Sequence, residues 1–179
     1  KVYYIGKYAF SGTSIESLVL PVSIDEIDDF AFENIRTLKE VTLNKNLVSI
    51  GENIFNGSIN IEKINYLGDV ASWLKVEPSS ILTIQTHNVL FNNEEIIDLV
   101  IPEGTTLINN YAFYGITSIR TITLPKSIED IGEDAFGGLP NLECVNYLGT
   151  IESWCKINFI SELSNPNNCA KKFLINNEE

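Results

Sequence analysis

Apolar residues recur along this chain in two interlocking patterns. The first is a compact block. Ile5-Gly6-Lys7-Tyr8-Ala9-Phe10 returns as Ile27-Asp28-Asp29-Phe30-Ala31-Phe32, Ile50-Gly51-Glu52-Asn53-Ile54-Phe55, Ile108-Asn109-Asn110-Tyr111-Ala112-Phe113 and Ile131-Gly132-Glu133-Asp134-Ala135-Phe136. Successive blocks are 22, 23, 58 and 23 residues apart. The second pattern, apolar-x-x-apolar-x-apolar, occurs at Ile15/Leu18/Leu20, Leu38/Val41/Leu43, Ile61/Ile64/Tyr66, Ile96/Leu99/Ile101, Ile119/Ile122/Leu124 and Leu142/Val145/Tyr147. Its last two positions alternate, so they share one face of a strand while the residue between them faces the other way. Pro21, Pro102 and Pro125 are placed to follow their strands, where a missing N–H ends a ladder cheaply.

A coil of 22 or 23 residues therefore reads as one short strand, a turn, a second extended or turn-like segment and the x-Ala-Phe block. No such coil buries its apolar side alone, so coils stack strand on strand into a solenoid. The expected fold class is an α/β repeat, with a parallel sheet of about six short strands at a spacing of about 4.8 Å. Phe10, Phe32, Phe55, Phe113 and Phe136 recur at one repeat phase and are expected in the core as a packing ladder.

A longer period overlies the short one. Asn65-Tyr66-Leu67-Gly68, Ser72-Trp73 and Asn92-Asn93-Glu94-Glu95 return as Asn146-Tyr147-Leu148-Gly149, Ser153-Trp154 and Asn176-Asn177-Glu178-Glu179. The chain reads as a single solenoid over 1–179 with a super-repeat of 27–107 and 108–179. Each longer coil carries an insert that opens on an N-cap type, Asp69 or Thr150. The apolar residues that follow, Val70/Trp73/Leu74 and Ile151/Trp154/Cys155, have helical spacing. One short amphipathic helix per insert is expected. Trp73 and Trp154 are expected to staple it to the solenoid, the alternative being exposed anchors for a partner. The abrupt start at Lys1 and the stop at Glu179, where a further strand is due, suggest a segment of a longer array without caps. Neither a basic start nor an apolar stretch ending in small residues opens the chain as a leader would.

Composition narrows the function. The 179 residues carry 12 basic and 24 acidic side chains, a formal net charge of −12. That charge disfavours nucleic acid, whose phosphates it repels, and anionic lipid surfaces. No apolar run reaches the roughly 18 residues of a membrane helix. Cys144, Cys155 and Cys169 are an odd, sparse set with no CxxC spacing. They allow one pair, such as Cys155 with Cys169, or three free thiols.

Candidate chemistry is thin. His87 is the single His, without a counterpart in the second insert or a GxSxG elbow elsewhere, and reads as an exposed loop residue. Asp25, Glu26, Asp28 and Asp29 crowd a turn but lack the D-x-D-x-D-G calcium pattern, so solvated carboxylates are expected there. No catalytic set, metal site or cofactor is implied. The outward row of the strands remains: Ser17, Val19, Glu40, Thr42, Lys63, Asn65, Asp98, Val100, Thr121, Thr123, Cys144 and Asn146. These vary from coil to coil while the inward positions stay apolar, as expected of a changeable surface on a shared scaffold. The row contains no aromatic, which argues against a sugar or single-strand stacking platform and for contacts with protein.

The I-G-x-x-A-F block followed by L-x-x-I-x-L-P, with inserts of the type N-Y-L-G-T-I-E-S-W, resembles the BspA-like leucine-rich repeats of bacterial surface proteins over nearly the whole chain. The small-Cys pair that often closes the turn in that family is replaced by Ser11-Gly12, Glu33-Asn34, Asn56-Gly57, Tyr114-Gly115 and Gly137-Gly138, so a Cys ladder is not expected. The resemblance implies a leucine-rich-repeat solenoid in a non-enzymatic, secreted or surface-displayed protein. Its implied partner is a host or surface protein, extracellular matrix proteins included. It carries no residue-level binding motif with it.

Overall fold

Most coils of the chain supply two extended stretches that are both strands; in the coil of Lys63–Leu67 the second is a single residue, Glu77, bridged to Ser49. The fold is taken from a computed structural model that describes residues 1–77 and 89–178; His87 lies outside the described residues. The chain divides into two compact units, Lys1–Glu95 and Ile96–Glu179. In chain order the first contains β1 (Tyr4–Ile5), β2 (Ser17–Val19), β3 (Glu26–Ile27), β4 (Glu40–Asn44), β5 (Ser49–Ile50), β6 (Lys63–Leu67), helix α1 (Val70–Trp73), β7 (Val89–Phe91) and β8 (Glu94–Glu95). The second contains β9 (Asp98–Val100), β10 (Leu107–Ile108), β11 (Thr121–Pro125), β12 (Asp130–Ile131), β13 (Cys144–Leu148), helix α2 (Ile151–Trp154), β14 (Asn158–Phe159) and β15 (Lys172–Ile175).

In the first unit β2, β4, β6 and β7 pair in parallel and β8 closes the sheet antiparallel to β7, while β1, β3 and β5 form a second parallel sheet. The second unit repeats this with β9, β11, β13 and β15 in one parallel sheet and β10, β12 and β14 in the other. The solenoid is as expected, with two additions. β7 and β15 occupy sheet positions that the alternation pattern does not reveal. Val89-Leu90-Phe91 is buried on both faces, and such a strand reads as a plain apolar run without alternation. Pro125 is also the last residue of β11 and pairs with Leu148, rather than following the strand.

The block is a tight turn with a defined backbone. Tyr8, Phe30, Asn53, Tyr111 and Asp134, each immediately before the Ala or Ile, all have left-handed φ of 48–59°. Left-handed backbone costs a side-chain-bearing residue roughly 1–2 kcal/mol, so burial beyond the turn must offset it. The turn sends the following aromatic inward and aims the backbone at the next coil. Phe30 N donates to Glu52 O at 3.1 Å, Phe32 N to Ile54 O at 2.9 Å and Asn34 N to Asn56 O at 2.7 Å. Phe32, Phe55, Phe113 and Phe136 are fully buried, and stacked rings lie 5.6 Å apart between Phe32 and Phe55 and 5.8 Å apart between Phe113 and Phe136. Each such burial is worth about 1.5–3 kcal/mol. Phe10 departs from expectation. It stacks on Phe32 at 5.3 Å yet stays 41% exposed.

Both insert helices form as expected, and both are fixed by capping boxes. Asp69 accepts from Ser72 N while Ser72 Oγ accepts from Asp69 N; Thr150 and Ser153 do the same in α2. Trp73 is 1% exposed against Tyr66 and Phe91, and Trp154 is half-buried against Tyr147, Phe159 and Phe173. The tryptophans therefore staple the helices. The expected apolar stripe of α2 is narrower than its spacing implies, since Ile151 and Cys155 are exposed. No described helix is long and apolar enough to cross a membrane.

Candidate binding face

The long sheet of each unit brings the outward residues into two straight rows, because parallel strands in register stack equivalent positions about 4.8 Å apart. In the first unit Ser17, Glu40 and Lys63 form one row, and Val19, Thr42, Asn65 and Leu90 the other. In the second unit the rows are Asp98, Thr121, Cys144, Lys172 and Val100, Thr123, Asn146, Leu174. Leu90, Lys172 and Leu174 escape sequence reasoning because they sit on the two strands that the alternation pattern does not show. The first row differs between the units wherever the two are matched. The second reads Val-Thr-Asn-Leu in both.

The candidate residues are unequally available. Ser17, Glu40 and Asp98 are exposed, Val19 and Val100 are 68% and 58% exposed, and Thr42, Lys63, Thr121, Thr123, Cys144 and Asn146 are half-buried. Asn65 is 4% exposed and spent inside the fold. Its Nδ2 donates to Asn93 Oδ1 at 2.8 Å and its Oδ1 accepts from Asn93 N at 2.9 Å. Asn146 makes the same pair with Asn177. Both asparagines point outward from their strands, as their phase requires, but hold the Asn-Asn turn that follows β7 or β15. Within the first row of the second unit, Thr121 Oγ1 donates to Asp98 Oδ1 at 2.6 Å.

One residue before the first row, both units carry a cross-strand ion pair: Lys39 with Glu62 at 3.6 Å and Arg120 with Glu143 at 3.3 Å. Exposed pairs of this kind add at most about 1 kcal/mol and chiefly fix the rim of the face. In the first unit this rim borders an open groove of about 690 Å³ lined by Glu16, Arg36, Thr37, Lys39, Asn60 and Glu62, among others. The face thus offers hydroxyls, charges of both signs and exposed valines.

The acidic turn is occupied by its own neighbours. Asp28 accepts from Tyr4 Oη at 2.6 Å, a bond that lowers its pKa and raises that of Tyr4. Asp29 pairs with Lys7 at 3.2 Å and accepts from Glu52 N at 2.9 Å. No group of three His, Cys, Asp or Glu side chains is arranged to hold a metal among the described residues. Cys144, Cys155 and Cys169 are free thiols, and burial raises the pKa of Cys169.

Stacked coils that add one strand each to a long parallel sheet and, in most coils, a two-residue strand to a second define a leucine-rich-repeat protein. The chain belongs to the BspA type leucine rich repeat region family, which matches residues 3–75 and 82–171 in six copies. Among solved structures, a leucine-rich repeat protein from Bacteroides ovatus is similar with a TM-score of 0.62 at 22% identity, covering 97% of this chain and 45% of that one. A leucine rich cell surface protein from Faecalibacterium prausnitzii is similar at 22% identity with a TM-score of 0.44, covering 89% of this chain and 39% of that one. The chain thus spans less than half the length of either. No curated protein matches it significantly.

Proposed function

We propose that this chain is a non-enzymatic binding module of a secreted or surface-displayed bacterial protein, contacting a protein ligand through the outward rows of its long sheets. One observation carries the reading. Inward positions keep the same apolar character from coil to coil, whereas the first outward row runs Ser17, Glu40, Lys63 in one unit and Asp98, Thr121, Cys144 in the other. Packing places no demand on that row, so its variation is free to follow a ligand. Asn65 and Asn146 are left out of the proposed contact set because the hairpin turns use them. The proposed contacts, Cys144 not among them, are Ser17, Val19, Glu40, Thr42, Lys63, Asp98, Val100, Thr121 and Thr123. Membership of the family supports an extracellular location and a protein ligand, which we take to be a host or surface protein such as a matrix component.

The test is binding of the purified protein to a panel of matrix and plasma proteins. A variant carrying Glu40→Lys, Lys63→Glu and Asp98→Lys runs alongside another carrying Glu129→Lys and Glu133→Lys, two exposed acids away from the rows. Saturable binding lost only in the first variant supports the face. Equal loss in both sinks it. No binding across the panel favours a spacer that presents another domain, and binding confined to a glycan array favours a carbohydrate module.

A further inference from the structure

We propose that Asn56 is a site of spontaneous deamidation, so that the contact between the second and third coils of the first unit gains negative charge with time. Asn56 and Gly57 form the turn after Phe55, and they are the only Asn-Gly pair in the sequence. Asn56 is exposed. Gly57 has φ of 73°, and a Cβ there would run into the side-chain oxygen of Asn34. The left-handed backbone favours glycine at 57, and glycine is the residue that least shields its own amide nitrogen from the preceding side chain. At the same turn position Gly12, Asn34 and Gly115 each donate their N–H to the next coil at 2.8, 2.7 and 2.8 Å. Among the described residues none accepts from Gly57.

The chemistry balances without an oxidant or reductant. Solvent base removes the Gly57 amide proton, the nitrogen forms a bond to Cγ of Asn56, the Cγ–Nδ2 bond breaks and ammonia leaves. Water then opens the resulting succinimide at either carbonyl, giving Asp or isoAsp. Every other asparagine is followed by a residue with a side chain, which crowds the same attack.

The position makes the product consequential. Asn56 Nδ2 donates to Glu33 Oε1 at 2.9 Å, and Asn56 O accepts from Asn34 N at 2.7 Å. In Asp the donor facing Glu33 becomes a carboxylate, turning a hydrogen bond into a like-charge contact; in isoAsp the donor is lost as well, and the new carboxylate is the former main-chain carboxyl. In isoAsp the main chain also runs through the former side-chain carbon, which displaces the acceptor for Asn34.

The experiment is incubation of the folded protein in mildly alkaline buffer, followed by peptide mapping that separates Asp from isoAsp. Asn56→Gln and Asn56→Asp variants and a denatured sample are treated in parallel. The expected result is exchange of NH for O at residue 56, as both isomers, faster than at any other asparagine and faster at higher pH. It is expected to be absent from residue 56 of Asn56→Gln, and Asn56→Asp is expected to melt below the wild type. An intact Asn56 in the folded protein with conversion in the denatured one, or another asparagine converting first, would overturn the site. An Asn56→Asp variant as stable as the wild type would overturn its effect on the coil contact.

Discussion

Asp69 and Thr150 do the same work with different chemistry, which makes their caps separable by pH. The Ser72 hydroxyl, then the Ser72 backbone N–H, hold the Asp69 carboxyl below its ordinary pKa. A depressed carboxylate stabilises the fold above its unfolded pKa, and that contribution is lost as pH falls through the folded value. Asp69→Ala is expected to cost about 1 kcal/mol near neutral pH, within the usual cap range of about 0.5–2. Its cost should shrink in acid, whereas that of Thr150→Ala should not change with pH. Urea midpoints of the two variants across pH check this, and parallel profiles would contradict it. In the core, Phe32 lies between Phe10 and Phe55, so Phe32→Ala should cost about 3–5 kcal/mol. Phe10→Ala should cost clearly less in the same denaturation series, since Phe10 already gives part of its surface to water.

The element most worth perturbing is the hairpin that closes the first long sheet. Asn92 and Asn93 take φ of 52° and 68°, the two left-handed positions of a tight hairpin turn, and Asn is among the few residues that tolerate them. Antiparallel β8 then covers the outer edge of β7 and places Glu94 and Glu95 there, where charge discourages further strand addition. Asn93→Gly keeps the permitted backbone but deletes the side chain that pairs with buried Asn65. A loss of about 1–3 kcal/mol is expected, the penalty for stranding a buried polar group. Hydrogen exchange should localise it to β7 and β8. An unchanged variant would mean the turn holds without the pair.

For the whole molecule, the excess of acid over base sets how binding responds to salt. In the proposed face, contacts through the first-row residues Glu40, Lys63 and Asp98 would be screened as the Debye length falls from about 10 Å at 0.1 M to about 3 Å at 1 M. Association through these charges should slow as salt rises, with the dissociation rate less affected. Contacts through Val19 and Val100 should show the opposite or no trend. Association kinetics of any ligand found, measured at two salt concentrations, distinguish the two. A salt-independent on-rate would shift the site from the first row to the second.

The repeat, its length, the inward ladder and both caps are legible in the linear chain because each depends on local spacing: a strand alternates, a turn needs a left-handed residue, a cap needs an oxygen ahead of the first turn. The outward phase of the strands was legible for the same reason, since Ser17, Glu40 and Asp98 are exposed where alternation puts them. Pairing settled the rest. Val89–Phe91 is buried on both sides and so carries no alternation to read, while Lys172–Ile175, exposed to half-buried, is a strand through its pairing with Cys144–Leu148. Asn65 and Asn146 leave the candidate surface because partners 28 and 31 residues away claim their amides. Phe10 is half-open although its sequence context equals that of Phe32. Local periodicity specifies one coil; which of its groups remain free is decided by the coils that stack against it.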